Sequence, residues 1–194
     1  MKLLREYIRE LLTEAAIDPR IMKQIDTAQR LECKVYVQDS KENGKVEIVS
    51  MPDNLSMGKV EWEYNRGQYG NCSGAPSVNW SFSDENLGPL AYDVAIEVSG
   101  GLTSDRTEVS AAAENVWKNY MNSRSDVQND QLDILDGYGY EQLTPGNEDD
   151  DCDQIPATQR YEDEWHKSAM AKVFFKNGTP VVDELRKRGM YEEV

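Results

Sequence analysis

Hydrophobic positions along the chain change period several times, and each change marks an element. The first sixteen residues, MKLLREYIRELLTEAA, place Leu4, Tyr7, Ile8, Leu11, Leu12 and Ala15 on one helical stripe. Lys2, Arg5, Glu6, Arg9 and Glu10 fill the opposite face. Asp18-Pro19 interrupts this period and marks a joint, and a second short helix is predicted around Met22 to Arg30. The period then drops to two. CKVYV and KVEIVS flank Asn43-Gly44, which predicts a hairpin turning on that dipeptide. In GKVEWEYN, Val60, Trp62 and Tyr64 alternate with Lys59, Glu61 and Glu63, and in SVNWSF, Val78, Trp80 and Phe82 alternate with Ser77, Asn79 and Ser81. These segments predict a meander of three or four antiparallel strands.

The stretch from Ser81 to Gly101 fits two periods. Leu90, Tyr92, Val94, Ile96 and Val98 alternate as in a strand, whereas Leu87, Leu90, Ala91, Val94, Ala95 and Val98 recur as on a helix. Three features select the helix. Pro89 stands where a first-turn residue needs no N–H. Ala91 and Ala95 favour helices and are poor in strands. Gly100-Gly101 is a natural C-cap. Asp93 and Glu97, one turn apart, are then expected on its solvent side. An extended GLTSDR follows, and then a helix with Val109, Ala112, Ala113, Val116, Trp117 and Tyr120 on one stripe and Ser110 as its N-cap. Further on, EWHKSAMAKVFFK is a helix or strand that returns to the core, and TPVVDELRKRGM is a short helix with Pro180 in its first turn. The fold class is therefore α+β: residues 1–16 form a leader helix, and 17–194 one domain with an acidic loop near 145–164.

Composition narrows the chemistry. Thirty-six acids against twenty-one bases give a net charge of −15, which repels nucleic acid and could attract a basic partner. The three cysteines, Cys33, Cys72 and Cys152, have no C-x-x-C spacing, and His166 is the only histidine, so neither a zinc site nor a disulfide framework is expected. No apolar run approaches the ~18 residues that span a membrane. RGQYGNCSGAP lacks the G-K-[ST] of a phosphate-binding P-loop. The five Asp and Glu residues from Glu148 to Asp153 lack the order of an EF-hand and read as a solvated loop.

Two resemblances add to this reading. The leader is similar to the capsid-targeting peptides of contractile-tailed bacteriophages, which a prohead protease removes after a Leu/Ile-x-Glu motif; Leu12-Thr13-Glu14 before Ala15 matches it. This implies prohead proteins as partners. Over residues 33 to 127, the order of elements resembles the GNAT acyltransferase fold. NLGPLAYDVAIEVSG is similar to that family's phosphate-binding loop and helix, and LTSDRTEVSAAAENVWKNYM to its next strand and helix. Proteins of this kind also occur in tailed phages. The resemblance implies acetyl-CoA as cofactor, held by Trp80, Phe82, Asn86, Leu87 and Gly88, and an amine as substrate. It implies a proton donor to the leaving thiolate at Trp117's position, where tryptophan cannot serve; Tyr120 is the nearest candidate. Glu61 and Glu63 are candidate bases, against the simpler reading that they are surface charges. Asp105 and Arg106 are candidates for substrate orientation. Asp84 and Glu85 replace the residues that usually face the phosphates.

Three functions follow from these features: an acetyl-CoA-dependent N-acetyltransferase of a tailed phage, a virion protein of that fold without catalysis, and an acidic inhibitor of a host protein. The expected location is host cytoplasm or virion. If the leader is removed, mass spectrometry of purified virions will find a chain that begins at Ala15. A Met1 terminus in mature particles refutes this.

Overall fold

The computed structural model describes residues 17–64, 75–105, 108–131 and 167–194. The leader, the Gly-rich turn, Arg106 and the acidic loop lie outside them.

Helix α1, Pro19–Arg30, starts at Asp18, whose carboxylate accepts the Arg20 N–H at 2.7 Å. The joint expected at Asp18-Pro19 is this N-cap. Four strands follow as an antiparallel meander: β1, Cys33–Asp39; β2, Asn43–Ser50; β3, Leu55–Tyr64; and β4, Pro76–Ser83. Helix α2, Gly88–Ser99, comes next, with Pro89 in its first turn and Gly100 closing it at φ 76°. Glycine takes that left-handed conformation without steric cost. The strand alternative for this stretch is thereby excluded. Helix α3, Ala111–Ser123, is capped by the Ser110 hydroxyl, which accepts the Ala113 N–H. Strand β5, Gln128–Gln131, pairs antiparallel with β6, Lys172–Phe175, which a 3₁₀ turn at Ala169–Ala171 precedes. Helix α4, Pro180–Lys187, and β7, Tyr191–Glu193, complete the described elements.

The main sheet runs β4-β3-β2-β1-β7, with β7 parallel to β1. β7 was not expected: it is three residues long and two of them are glutamates, so no alternation announces it. Leu102–Thr103 bridges the two sheets. Thr103 exchanges backbone hydrogen bonds with Pro76 and Val78 of β4, and Leu102 with Phe174 of β6.

Val35, Val37, Val46, Ile48, Val60 and Trp62 fill one sheet face and are buried. The other face carries Lys45–Glu47 and Lys59–Glu61 ion pairs. α2 crosses the buried face against β2 and β3, and α1, α4 and β6 pack around it. It is therefore enclosed on all sides, and its residues from Leu90 to Glu97 are all buried. This corrects the expected solvent side: Asp93 is 0% exposed and Glu97 7%.

Two details of register depart from the alternation. The β1–β2 turn lies at Ser40–Glu42, because Asp39 pairs with Gly44 and the Ser40 hydroxyl donates to the Asn43 carbonyl at 2.7 Å. Asn43-Gly44 therefore opens β2 and is not the turn. Gly44 serves another purpose: a Cβ there would collide with the Trp62 indole ring. In β4, Glu61 faces Trp80 while Trp62 faces Val78, so Asn79 is an extra residue. This bulge reverses the face of everything after it. Val78 stays buried, but Trp80 and Phe82 turn outward, 47% and 39% exposed.

Gly44→Ala will lower stability by ~1–3 kcal/mol, the usual cost of overpacking, through displacement of Trp62. A urea titration followed by tryptophan fluorescence measures it; an unchanged midpoint refutes the tight contact.

Candidate functional site

The bulge creates an opening. The Leu102–Thr103 segment runs parallel to β4 as far as Val78, whose N–H donates to the Thr103 carbonyl at 3.0 Å. Beyond it, no backbone bond among the described residues joins Asn79–Ser83 to the 102–105 segment. The two strands part, and a cleft of about 220 Å³ lies between them and the start of α3. Val78, Asn79, Trp80 and Ser81 form one wall, Asp105, Glu108, Val109, Ser110 and Ala113 another, and Tyr92 and Trp117 also line it.

Tyr92 is 4% exposed and donates to Ser81 Oγ at 3.0 Å. Burial pushes its phenol above the ordinary value, and the Ser81 bond offsets part of that. Glu108 is tied to the wall by its N–H, which donates to Asp105 Oδ1 at 3.0 Å. Tyr92 meets Trp117 edge-on with centroids 5.2 Å apart, and Trp117 stacks on Phe174 at 5.4 Å.

At the end of β4, Glu85 and Asn86 both take left-handed conformations, φ 48° and 58°. The turn uses most of its own donors. Asp84 N–H goes to the Met57 carbonyl, Glu85 N–H to Asp84 Oδ1, Leu87 N–H to the Asp84 carbonyl, and Gly88 N–H to Ser83 Oγ at 2.8 Å. Pro89 has none. Asn86 and Leu90 keep N–H groups without a protein acceptor among the described residues. Leu87 is fully buried, and a Cβ on Gly88 would meet Ser83 at 3.0 Å.

The expected site residues thus divide. Trp80 lines the cleft. Phe82 lies on the outer sheet face, its ring centroid 6.1 Å from that of Trp80. Asn86, Leu87 and Gly88 form the turn into α2. Glu61, paired with Lys59, and Glu63, exposed near the end of β3, do not line the cleft. Tyr120 lies behind Trp117, 1% exposed, and also stands outside the cleft.

Tyr120 belongs instead to a buried ionic cluster. Its hydroxyl donates to Asp93 Oδ1 at 2.8 Å. Arg124, whose side chain is 2% exposed, grips Asp93 with two bonds of 3.1 and 2.6 Å and Asp126 with two of 2.7 Å. Lys176 donates to Asp93 Oδ2 at 3.0 Å and to Glu97 Oε1 at 2.7 Å. Glu97 also accepts the Val181 and Val182 N–H groups, which caps α4 with a carboxylate. Burial and the charge of Asp93 push the Tyr120 phenol well up, so it holds its proton. Burial pushes Glu97 upward, against the pull of Lys176. For Asp126, burial works upward, but hydrogen bonds and charge from Arg124 outweigh it and the carboxyl is lowered.

Alternation and helical stripes do not reveal this cluster, and Ser81 and Tyr92 also escaped the sequence reading. One signal was present: α2 has two acids and no base of its own, so a helix enclosed in a core must draw its cations from elsewhere. Among the described residues, no group of three or more His, Cys, Asp and Glu could hold a metal ion, and no helix is long and apolar enough to cross a membrane. Compared with family models, curated proteins and solved structures, the chain gives no match.

The cluster predicts an acid limb. Asp126, and Asp18, which lies 3.5 Å from Arg124 Nε, are both lowered from 3.8, so they add stability above that pH and lose it as pH falls through their folded values. Glu97, raised from 4.5, acts oppositely: its share is present below 4.5 and is lost as pH rises through its folded value. Asp126→Asn will therefore lower the urea midpoint by a steady amount above about pH 5, and the gap to wild type will close below 3.8. A gap independent of pH refutes the assignment.

Proposed function

We propose that this chain is an acetyl-CoA-binding, N-acetyltransferase-like protein of the GNAT type from a tailed phage. One observation carries the reading: β4 bulges at Asn79, parts from its parallel neighbour and runs through a tight turn into a helix. That arrangement offers a free strand edge to an extended ligand. A pantetheine arm carries two amides and can add to such an edge as a strand would. Its thioester carbonyl would accept a backbone N–H near the bulge, where an extra residue frees a donor. The start of α2 provides the N–H of the exposed Asn86 and a favourable dipole for phosphate. An amine would attack the polarised carbonyl and lose its proton to water or to a carboxylate at the cleft.

A second reading has its own support. The turn before α2 spends four of its N–H groups on protein acceptors, and Asp84 and Glu85 oppose a pyrophosphate. Tyr120 is engaged by Asp93. These features suit a virion protein that keeps the scaffold without turnover, carried into the prohead by its leader.

Calorimetric titration with acetyl-CoA separates the two. In the first reading wild type binds, and neutralising both acids, Asp84→Asn with Glu85→Gln, strengthens binding roughly threefold per charge. If neither protein gives heat at millimolar acetyl-CoA, the cleft is no cofactor site and the non-catalytic reading stands.

A further inference from the structure

A second groove, of about 250 Å³, lies between α1 and α3, apart from the β4 cleft. Buried Ile21 and Tyr120 and half-buried Pro89 and Val116 give it an apolar lining. Gln24 also lines it, and the amide oxygen of that side chain is buried without a hydrogen-bond donor. α3 ends where α1 begins: Arg20 donates to the Ser123 carbonyl at 3.5 Å, and Arg124 Nε lies 3.5 Å from Asp18 Oδ2. From that end the groove follows α1 as far as Gln24 and α3 back to Asn115.

The described residues begin at Ile17, half-buried against the core, at this same end. Asp18 has a non-helical ψ of 133°, so α1 does not extend back through it. The leader lies outside the described residues, but its sequence fits the groove. From Leu4 to Leu12 its apolar stripe measures about 12 Å as a helix, against about 14 Å for α3 from Asn115 to Arg124. Six residues, Thr13 to Asp18, join that stripe to Pro19, within the roughly 2–8 that link neighbouring helices. Tyr7 adds a hydroxyl that can donate to the Gln24 oxygen. We propose that the groove between α1 and α3 is the docking site of the leader of the same chain. The leader folds back from Asp18, antiparallel to α1, and sets Leu4, Ile8, Leu11 and Leu12 against Ile21, Pro89 and Val116. This does not depend on the acetyl-CoA reading. Docking hides the stripe that a prohead partner would need, so such a partner must compete with the groove for it.

The test uses the full chain and the rate at which a maleimide labels a cysteine placed in the groove, Val116→Cys, with mass spectrometry locating the label. The native leader is compared with one carrying Ile8→Glu and Leu12→Glu. The native leader will slow labelling of Val116→Cys about tenfold, as expected of a segment docked about nine-tenths of the time. Ala112→Cys, exposed on α3, will label at one rate with either leader. Cys33, buried in the core, will stay unlabelled in both; its labelling with the substituted leader means that the leader holds the core and not the groove, and overturns the proposal. Equal rates at Val116→Cys with the two leaders overturn it as well. So does protection that fades on dilution, because the occupant is then a second copy of the chain.

Discussion

The Asp93 carboxylate at the centre of the molecule constrains almost everything around it. A charged group removed from water costs several kcal/mol unless paired and fully hydrogen-bonded. Asp93 meets that condition with Arg124, Lys176 and the Tyr120 hydroxyl, which come from the end of α3, the end of β6 and the body of α3. Glu97, one turn on, shares Lys176 and takes the first N–H groups of α4. Two side chains of one helix thus fix the approach of three other elements. Apolar contacts alone would tolerate small slips between them, because burial is not directional. The forked Arg124 bonds do not tolerate slips, because two parallel hydrogen bonds set both distance and angle.

This constraint reaches the cleft through the aromatic residues. Tyr120, tethered to Asp93, meets Trp117 at 6.0 Å; Trp117 meets Tyr92 at 5.2 Å. The cleft wall therefore stands on a rigid base, with the ring of Tyr92 held by Trp117 and its hydroxyl by Ser81. The opposite wall has a different origin. Asn79 is inserted into β4 without a partner on β3, which turns Trp80 outward and lets the strand leave its parallel neighbour after Val78. One wall is positioned by buried charge, the other by a defect in strand register.

The same division explains what the amino-acid pattern disclosed. The strands β1 to β4 and the helices at Ala111 and Pro180 were legible because each has one clear period, whereas α2, whose stretch fits two, was legible from Pro89, its alanines and Gly100. The Asn79 bulge was not legible, since SVNWSF alternates perfectly; register is decided by the partner strand, which holds Trp62 opposite Val78. Asn43-Gly44 misled for a similar reason. Its glycine answers to the Trp62 ring across the sheet rather than to a local turn. Asp93 and Glu97 misled because charge normally marks a solvent face, and Arg124 and Lys176 lie 31 and 79 residues away from them in sequence. Each failure concerns a long-range partner, which local periodicity cannot carry.

The electrostatics of the cleft region follow from what each charge touches, not from the total of −15. The buried cluster is nearly self-compensating, with Arg124, Lys176 and the start of α4 set against Asp93, Glu97 and Asp126. It therefore projects little field toward the cleft. The outer sheet face pairs Lys45 with Glu47 and Lys59 with Glu61, and is locally balanced too. Among the described residues, the charged groups around the cleft include Asp84 and Glu85 at the turn, and Asp105 and Glu108 on the far wall. Among these groups, an anionic ligand must draw on the Asn86 N–H and the α2 dipole against four acids, whereas a cationic one meets them favourably.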